Sequence, residues 1–112
     1  MDLGLTGKVA MVAAATRGIG LAAARSLAQE GAKVSVCGLD AGHIKEAAAS
    51  LGPPHLALRC DLAAQADIEA WFKATESALG TPGILVTNTG GPPAGSVGEM
   101  TPAQWVKGFE NT

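Results

Sequence analysis

The fold of this chain is decided by the stretch Val9-Ala10-Met11-Val12-Ala13-Ala14-Ala15-Thr16-Arg17-Gly18-Ile19-Gly20. Its apolar start is typical of a strand buried on both faces. The two glycines then turn the chain into a helical pattern that runs from Leu21 to Glu30. A strand, a tight turn and a helix N-terminus direct backbone N–H groups and the positive end of the helix dipole at one point. This stretch therefore predicts a cradle for a pyrophosphate.

Beyond this stretch, strand-like and helix-like patterns alternate along the chain. Strands are predicted at Lys8 to Ala14, Lys33 to Cys37, His55 to Cys60 and Ile84 to Thr87. Apolar residues at helical spacing mark three helix faces, formed by Ile19, Ala22, Ala23 and Leu27, by Ile44, Ala47, Ala48 and Leu51, and by Ile68, Trp71, Phe72, Thr75 and Leu79. A loop rich in glycine and proline is predicted from Gly90 to Gly98. After it, Thr101, Pro102 and Gln104 predict a helix start with a capping box.

This alternation predicts right-handed βαβ units and a parallel sheet. The fold class is α/β, a Rossmann-type doubly wound sheet that is partial, with its first four strands in the order 3-2-1-4. A length of 112 residues suits one small domain. The last predicted strand leaves an apolar edge at Ile84 to Val86 without a neighbour, which favours association with a further strand.

Composition excludes several classes of function. A net charge of −2 provides no basic surface for nucleic acid or anionic lipid, and 4% aromatic residues leave few platforms for stacked bases. No apolar run approaches the roughly 20 residues that span a bilayer, and the N-terminus lacks the basic start of a secretion signal. Cys37 and Cys60 share no metal-ligand spacing with each other or with His43 and His55. We therefore expect a cytoplasmic protein with two buried, reduced thiols, solvated histidines and no metal.

Four side chains or backbone positions are predicted at the carboxyl ends of strands, where open parallel sheets bind ligands: Arg17, Gly38, Asp61 and Asn88. Asp61 can accept a hydrogen bond from an adenine amino group, or it caps the following helix. Asn88 either contacts the ligand or holds its loop against the first strand. Ala14 stands where such a turn commonly has glycine, so we expect its φ to stay negative.

These residues resemble the short-chain dehydrogenase/reductase family, close to its 3-oxoacyl-carrier-protein reductase-like branch. The family motif T-G-x-x-x-G-x-G reads Ala13 to Gly20 here, with its last two glycines at Gly18 and Gly20 and its first replaced by Ala14. The family's N-N-A-G reads Thr87-Asn88-Thr89-Gly90, and Asp61 matches the acidic residue that contacts adenine in the family. The resemblance implies that residues 1–112 are a single N-terminal dinucleotide-binding portion, truncated before the catalytic segment.

Carried onto this sequence, the resemblance implies a cofactor site and no catalytic or metal residues. The implied cofactor-binding residues are Ala14, Thr16, Arg17, Gly18, Ile19, Gly20, Gly38, Leu39, Asp61, Leu62, Asn88, Thr89 and Gly90. In members that prefer NAD, an acid ends the second strand, whereas this chain has Gly38 there. With Arg17 available to pair with a 2′-phosphate, the arrangement leans toward NADP, while NAD remains possible because Asp40 follows closely.

The family's chemistry is hydride transfer between a nicotinamide and a small carbonyl or alcohol substrate, with a tyrosine as proton donor. This chain has no tyrosine, and the family's serine and lysine are not placed in it either. We therefore expect the chain as given to lack turnover, while the full-length form is an oxidoreductase and a homo-oligomer. The alternatives are a non-catalytic dinucleotide-binding module and a structural half-domain that needs a partner chain. A Rossmann-like methyltransferase explains less, because it has no use for the motif around Asn88.

Overall fold

A computed structural model describes residues 2–89 and 95–110 of the chain. Gly90 and most of the predicted glycine- and proline-rich loop lie outside the described residues. The elements are β1 (Val9–Val12), α1 (Gly18–Gln29), β2 (Lys33–Gly38), α2 (Ala41–Leu51), β3 (Leu56–Arg59), α3 (Gln65–Leu79), β4 (Ile84–Val86), a short 3-10 helix (Val97–Glu99) and α4 (Pro102–Glu110). None of the helices in this part of the chain is long and apolar enough to cross a membrane.

The strands form one parallel sheet in the order β3-β2-β1-β4, which confirms the predicted fold class. The central strand β1 pairs with β2 from Val9 opposite Lys33, and with β4 from Ala10 opposite Ile84. Because every strand runs the same way, the loops that follow β1, β2, β3 and β4 emerge at one edge of the sheet. The chain order reverses between β1 and β4, which is where such sheets leave a crevice for a ligand.

The core lies on both faces of this sheet, so the strands read as continuous apolar runs. All four residues of β1 are buried, as are the last five residues of β2. One face packs on α1 and α2 through Val12, Val34, Val36 and Ala24. The other face packs on α3 through Met11, Cys37, Cys60 and Trp71.

Each of the three predicted helix faces is corrected in part by the structure, and in α2 Ala47 is buried while Ala48 is exposed. In α1 the buried positions are Gly20 and Ala24, while the side chain of Ile19 is 88% exposed. The helix begins at Gly18, three residues earlier than its pattern predicts, and this turns Ile19 toward the ligand edge of the sheet. In α3 the predicted face is only partly buried, because Ile68 and Phe72 are exposed beside buried Trp71.

A fully buried polar cluster joins β2 to α3. The indole Nε1 of Trp71 donates to Ser35 Oγ at 2.9 Å, and Thr75 Oγ1 lies 2.8 Å from the same hydroxyl oxygen. The Thr75 hydroxyl also lies 2.8 Å from the Trp71 carbonyl oxygen. Because each buried polar atom has a partner, the cluster fixes how α3 sits on the sheet without leaving an uncompensated group.

The last helix begins with the predicted capping box. The backbone N–H of Gln104 donates to Thr101 Oγ1 at 3.2 Å, and the N–H of Thr101 donates to Gln104 Oε1 at 2.8 Å. Its large apolar side chains Trp105, Val106 and Phe109 are exposed, as is Leu85 on the outer strand β4. The unpaired apolar edge predicted for this strand is therefore present among the described residues.

His55 differs from its prediction as a solvated loop histidine. The backbone N–H of Val34 donates to His55 Nδ1 at 3.0 Å, so the imidazole serves as an acceptor at the start of β3. Burial lowers the pKa of His55, because partial removal from water disfavours the imidazolium. The neutral ring is the form that can accept this bond, which makes His55 part of the junction between β2 and β3.

We predict that His55 makes stability depend on pH. Its pKa is lower folded than unfolded, so its contribution is complete above the unfolded value of about 6.5 and is lost as the pH falls from there through the folded pKa. The free energy of unfolding in urea, measured from about pH 7.5 to about pH 5, falls by about 1 kcal/mol less in His55→Gln than in the parent. Because the other ionisable groups are present in both proteins, the difference between the two slopes isolates His55. A His55→Gln slope equal to the parent's contradicts the prediction.

Candidate functional site

A cleft of about 840 Å³ lies at the carboxyl edge of the sheet, between the loops that follow the four strands. This volume falls within the range of small-molecule and cofactor sites. Every predicted site residue that the structure describes lines the cleft: Ala14, Thr16, Arg17, Gly18, Ile19, Gly20, Gly38, Leu39, Asp61, Leu62, Asn88 and Thr89. The remaining predicted residue, Gly90, lies outside the described residues.

The turn from β1 into α1 forms the floor of the cleft. The β1 ladder continues past its last residue, because the N–H of Ala13 donates to Val86 O and the N–H of Ala15 to Cys37 O. Between these two bonds Ala14 has φ +48°, so the expectation of a negative φ is wrong. The turn needs a left-handed residue whether or not glycine supplies it, and alanine adopts it at a cost of about 1 kcal/mol.

The two motif glycines have different structural reasons. A Cβ at Gly20 would lie 2.7 Å from Ala14 O and 2.8 Å from Ala15 Cα, so any side chain would push α1 away from β1. Gly18 has φ +63°, and a Cβ there would meet no protein atom within 4 Å. The space beside Gly18 is the cleft itself, which leaves the N-terminus of α1 open to a ligand.

Gly38, at the end of β2, is required by packing. A Cβ there would lie 2.6 Å from Thr16 Oγ1 and 2.7 Å from Thr16 Cγ2, and the Thr16 side chain is buried. Thr16 therefore occupies the space that any side chain at Gly38 would need. The lack of an acid at Gly38 has a steric cause within this fold.

The ionisable side chains near Gly38 are those of Arg17, Asp40 and His43, and all three residues line the cleft. Asp40 caps α2, because its Oδ1 accepts the backbone N–H of His43 at 2.9 Å and lies 3.7 Å from His43 Nδ1. That backbone bond first, and then the attraction of His43 and Arg17, lowers the pKa of Asp40. One carboxylate oxygen of Asp40 is thus committed to the helix start, and a guanidinium lies near it.

Asp61 lies in the cleft directly after β3 and its neighbour Cys60. Its Oδ1 accepts the backbone N–H of Ala63 at 2.9 Å, which closes a local turn. The first residue before α3 is Ala64, so Asp61 does not cap that helix. The helix-cap alternative is therefore wrong, and Asp61 lines the cleft with its Oδ1 already held.

Asn88 holds its loop against the end of the first strand, which is the structural alternative considered for it. Its Nδ2 donates to the carbonyl oxygen of Ala14 at 3.1 Å, across 74 positions of sequence. The bond ties the loop after β4 to the left-handed residue of the β1–α1 turn. Asn88 also lines the cleft, so it sets the width of the crevice between β1 and β4.

The two cysteines are free and buried, as predicted. Cys60 borders the cleft, but burial above all, with Cys37 beside it, raises the pKa of its thiol to about 11. Burial also raises the pKa of Cys37. Both stay protonated at neutral pH, so they pack as small apolar groups and are poor nucleophiles. No group of three His, Cys, Asp or Glu side chains that could hold a metal ion occurs in residues 2–89 and 95–110.

Further residues of the cleft were not among the predicted site residues. They are Asp40, His43, Cys60, Ala63, Lys107 and Glu110. Asp40, Cys60 and Ala63 adjoin predicted positions along the chain, so their inclusion follows from the strand ends, whereas His43 lies in the first turn of α2. Lys107 and Glu110 come from α4, and no local pattern in the sequence shows that this helix returns to the cleft.

Comparison with known proteins gives one consistent result. The model of the short chain dehydrogenase family matches residues 8–111. The chain is 40% identical to galactitol 2-dehydrogenase of Agrobacterium fabrum over 84 residues, which cover 75% of this chain and 33% of that protein. It is 39% identical to 3-oxoacyl-[acyl-carrier-protein] reductase of Bos taurus over 83 residues, 74% of this chain and 35% of that protein.

A solved structure agrees with these relatives. A double mutant of a Serratia marcescens short-chain dehydrogenase/reductase superposes with a TM-score of 0.85 and 31% identity, over 96% of this chain and 45% of that one. The chain therefore spans about a third of the two curated relatives and less than half of the solved structure.

We predict that Ala14→Gly stabilises the protein. Glycine adopts φ +48° without steric cost, and this gain exceeds the added entropy of the unfolded chain, giving about 0.5–1 kcal/mol in urea denaturation. Ala15→Gly is the matched control, because Ala15 is fully buried and has no positive φ, and it destabilises by about 1 kcal/mol. A loss of stability in Ala14→Gly contradicts the strain assigned to this turn.

Proposed function

This chain belongs to the short-chain dehydrogenase/reductase family, and we propose that its cleft binds a nicotinamide dinucleotide for hydride transfer to or from a carbonyl or alcohol carbon. The observation that carries the proposal is the open space beside Gly18 at the N-terminus of α1. The N–H groups of this helix start have no partner within the helix, and a pyrophosphate satisfies both them and the helix dipole.

The other cleft residues fit the two halves of such a dinucleotide. Leu39, after β2, and Leu62, after β3, offer apolar surface. The carboxylate of Asp61, also in the loop after β3, can accept a hydrogen bond from a donor such as an adenine amino group. Asn88 and Thr89 lie on the other side of the pyrophosphate cradle, after β4, where the nicotinamide end would be held. When bound, the cofactor supplies the hydride, and these residues orient it.

The proton donor is the part of the chemistry that these residues do not supply. The 112 residues include no tyrosine, which is the family's proton donor. The Cys60 thiol has a pKa of about 11 and is buried. We therefore propose that these residues bind the cofactor without turnover, and that a longer form, assembled as a homo-oligomer in the cytoplasm, carries out the reaction.

For the cofactor itself we propose NADP over NAD. Arg17 is exposed at the cleft, and its guanidinium can donate two parallel hydrogen bonds to a 2′-phosphate. No acid stands at Gly38, where it would repel that phosphate. Asp40 opposes the preference, but its Oδ1 is held by the N-terminus of α2.

We expect a bulky side chain at Gly18 to block binding of the cofactor phosphates. Gly18→Leu fills the cradle and raises the dissociation constant of NADPH about tenfold or more, as measured by fluorescence titration. Gly52→Leu is the matched control, because Gly52 has φ +71°, close to the +63° of Gly18, and likewise has no protein atom within 4 Å of a Cβ. Gly52 lies at the end of α2, outside the cleft. Both variants place a leucine on a positive-φ backbone, so equal NADPH affinities in the two variants would refute the phosphate cradle.

We expect Arg17 to contribute to the binding of NADP and not to that of NAD. Arg17→Ala weakens NADP binding by about tenfold and leaves NAD binding nearly unchanged, because only NADP carries the 2′-phosphate. Arg25→Ala is the control, since Arg25 lies on the same helix but donates to Ser50 Oγ at 3.0 Å, away from the cleft. Equal losses for both dinucleotides in Arg17→Ala would show that Arg17 does not contact the 2′-phosphate.

A further inference from the structure

The loop between β3 and α3 is held by a side chain that lies six positions further along. The Oδ2 of Asp67, in the first turn of α3, accepts the backbone N–H of Asp61 at 3.0 Å. The same oxygen accepts Arg59 Nη1 at 3.1 Å. One carboxylate oxygen therefore joins the last residue of β3, the first residue of the cleft loop and the start of the next helix.

Asp67 is well suited to this role. Its side chain is 33% exposed, so its hydrogen bonds are partly shielded from water, while Arg59 is 63% exposed and can leave without opening the loop. A carboxylate in the first turn of a helix is also stabilised by the unpaired N–H groups there. Asp67 does not line the cleft, so it acts on a ligand only through Asp61.

The rest of the loop fixes the Asp61 side chain once its backbone is held. Its Oδ1 accepts the N–H of Ala63 at 2.9 Å, and its carbonyl oxygen accepts the N–H of Ala64 at 2.9 Å. With the N–H bound by Asp67, every backbone polar group of Asp61 has a partner, and Oδ1 has one as well. Because Asp61 also lines the cleft, these bonds limit the positions that its carboxylate can take there.

We propose that Asp67 is a positioning residue for base recognition: by holding the Asp61 N–H, it directs the Asp61 carboxylate at the 6-amino group of the bound adenine. The inference rests on the proposed dinucleotide function and adds to it a residue outside the cleft. Its consequence is selective, because Asp67 affects how well the site tells adenine from another purine and leaves the phosphate cradle at Gly18 untouched.

The experiment compares NADP with its deamino analogue, in which hypoxanthine replaces adenine and an oxygen acceptor replaces the 6-amino donor. We expect the parent to bind NADP about tenfold more tightly than the analogue, because a charged acceptor loses its donor. In Asp67→Ala this ratio falls toward one, as it does in Asp61→Ala. In Asp67→Asn the ratio is largely restored, since an amide oxygen still accepts the Asp61 N–H. Glu69→Ala, which removes an exposed acid from the same helix, leaves the ratio at the parental value.

The ratio separates positioning from a general loss of structure, because unfolding lowers both affinities equally. Should Asp67→Ala fail to fold, Asp67→Glu keeps the charge but moves the acceptor by one methylene, and the ratio still falls. An unchanged ratio in the folded Asp67 variants, with a discriminating parent, overturns the inference and leaves the proposed function intact. A parent that binds neither dinucleotide overturns the proposed function itself, and a parent that binds both equally overturns the role of Asp61 and with it that of Asp67.

Discussion

The close approach of α1 to the end of β1 is the constraint on which the rest of the site depends. Only a hydrogen atom fits at Gly20, where a Cβ would lie 2.7 Å from the Ala14 carbonyl oxygen. This contact sets the first turn of the helix against the end of the central strand, at Ala14, whose backbone is left-handed. The unpaired N–H groups of α1 then lie at the crevice between β1 and β4, where an anion can reach them.

Each wall of the cleft is fixed by one polar side chain that binds a backbone group. Asn88 Nδ2 binds Ala14 O and fixes the loop after β4, Asp40 Oδ1 binds the start of α2, and Asp67 Oδ2 binds the loop after β3. All three are local or cross-strand hydrogen bonds to backbone groups that the turns would otherwise leave unpaired. Such bonds satisfy the ends of the sheet, and they leave the neighbouring groups directed into the cleft. The same polar atoms thus serve the fold and shape the site.

The strand order and the position of the cleft could be predicted because both follow from the alternation of strand-like and helix-like apolar patterns along the chain. Parallel strands with crossover helices have one edge where their carboxyl ends meet, so Arg17, Gly38, Asp61 and Asn88 had to lie near one another. What the sequence could not provide was the partner of each polar atom. The bond from Val34 to His55, like that from Asn88 to Ala14, joins residues far apart in sequence. The face of α1 was misread for a related reason, since its start depends on the turn before it and not on its own apolar spacing.

Gly38 shows why the presence of a residue type does not by itself reveal the reason for it. In the sequence, a glycine at the end of β2 indicates that no carboxylate is present there to repel a 2′-phosphate. In the structure Thr16 already occupies the space beside Gly38, and any side chain would lie within 2.7 Å of it. Gly38 is therefore required by the fold whichever dinucleotide binds. The proposed preference for NADP therefore depends on the two exposed charges at the cleft, Arg17 and Asp40, and Arg17 contributes to the lowered pKa of Asp40.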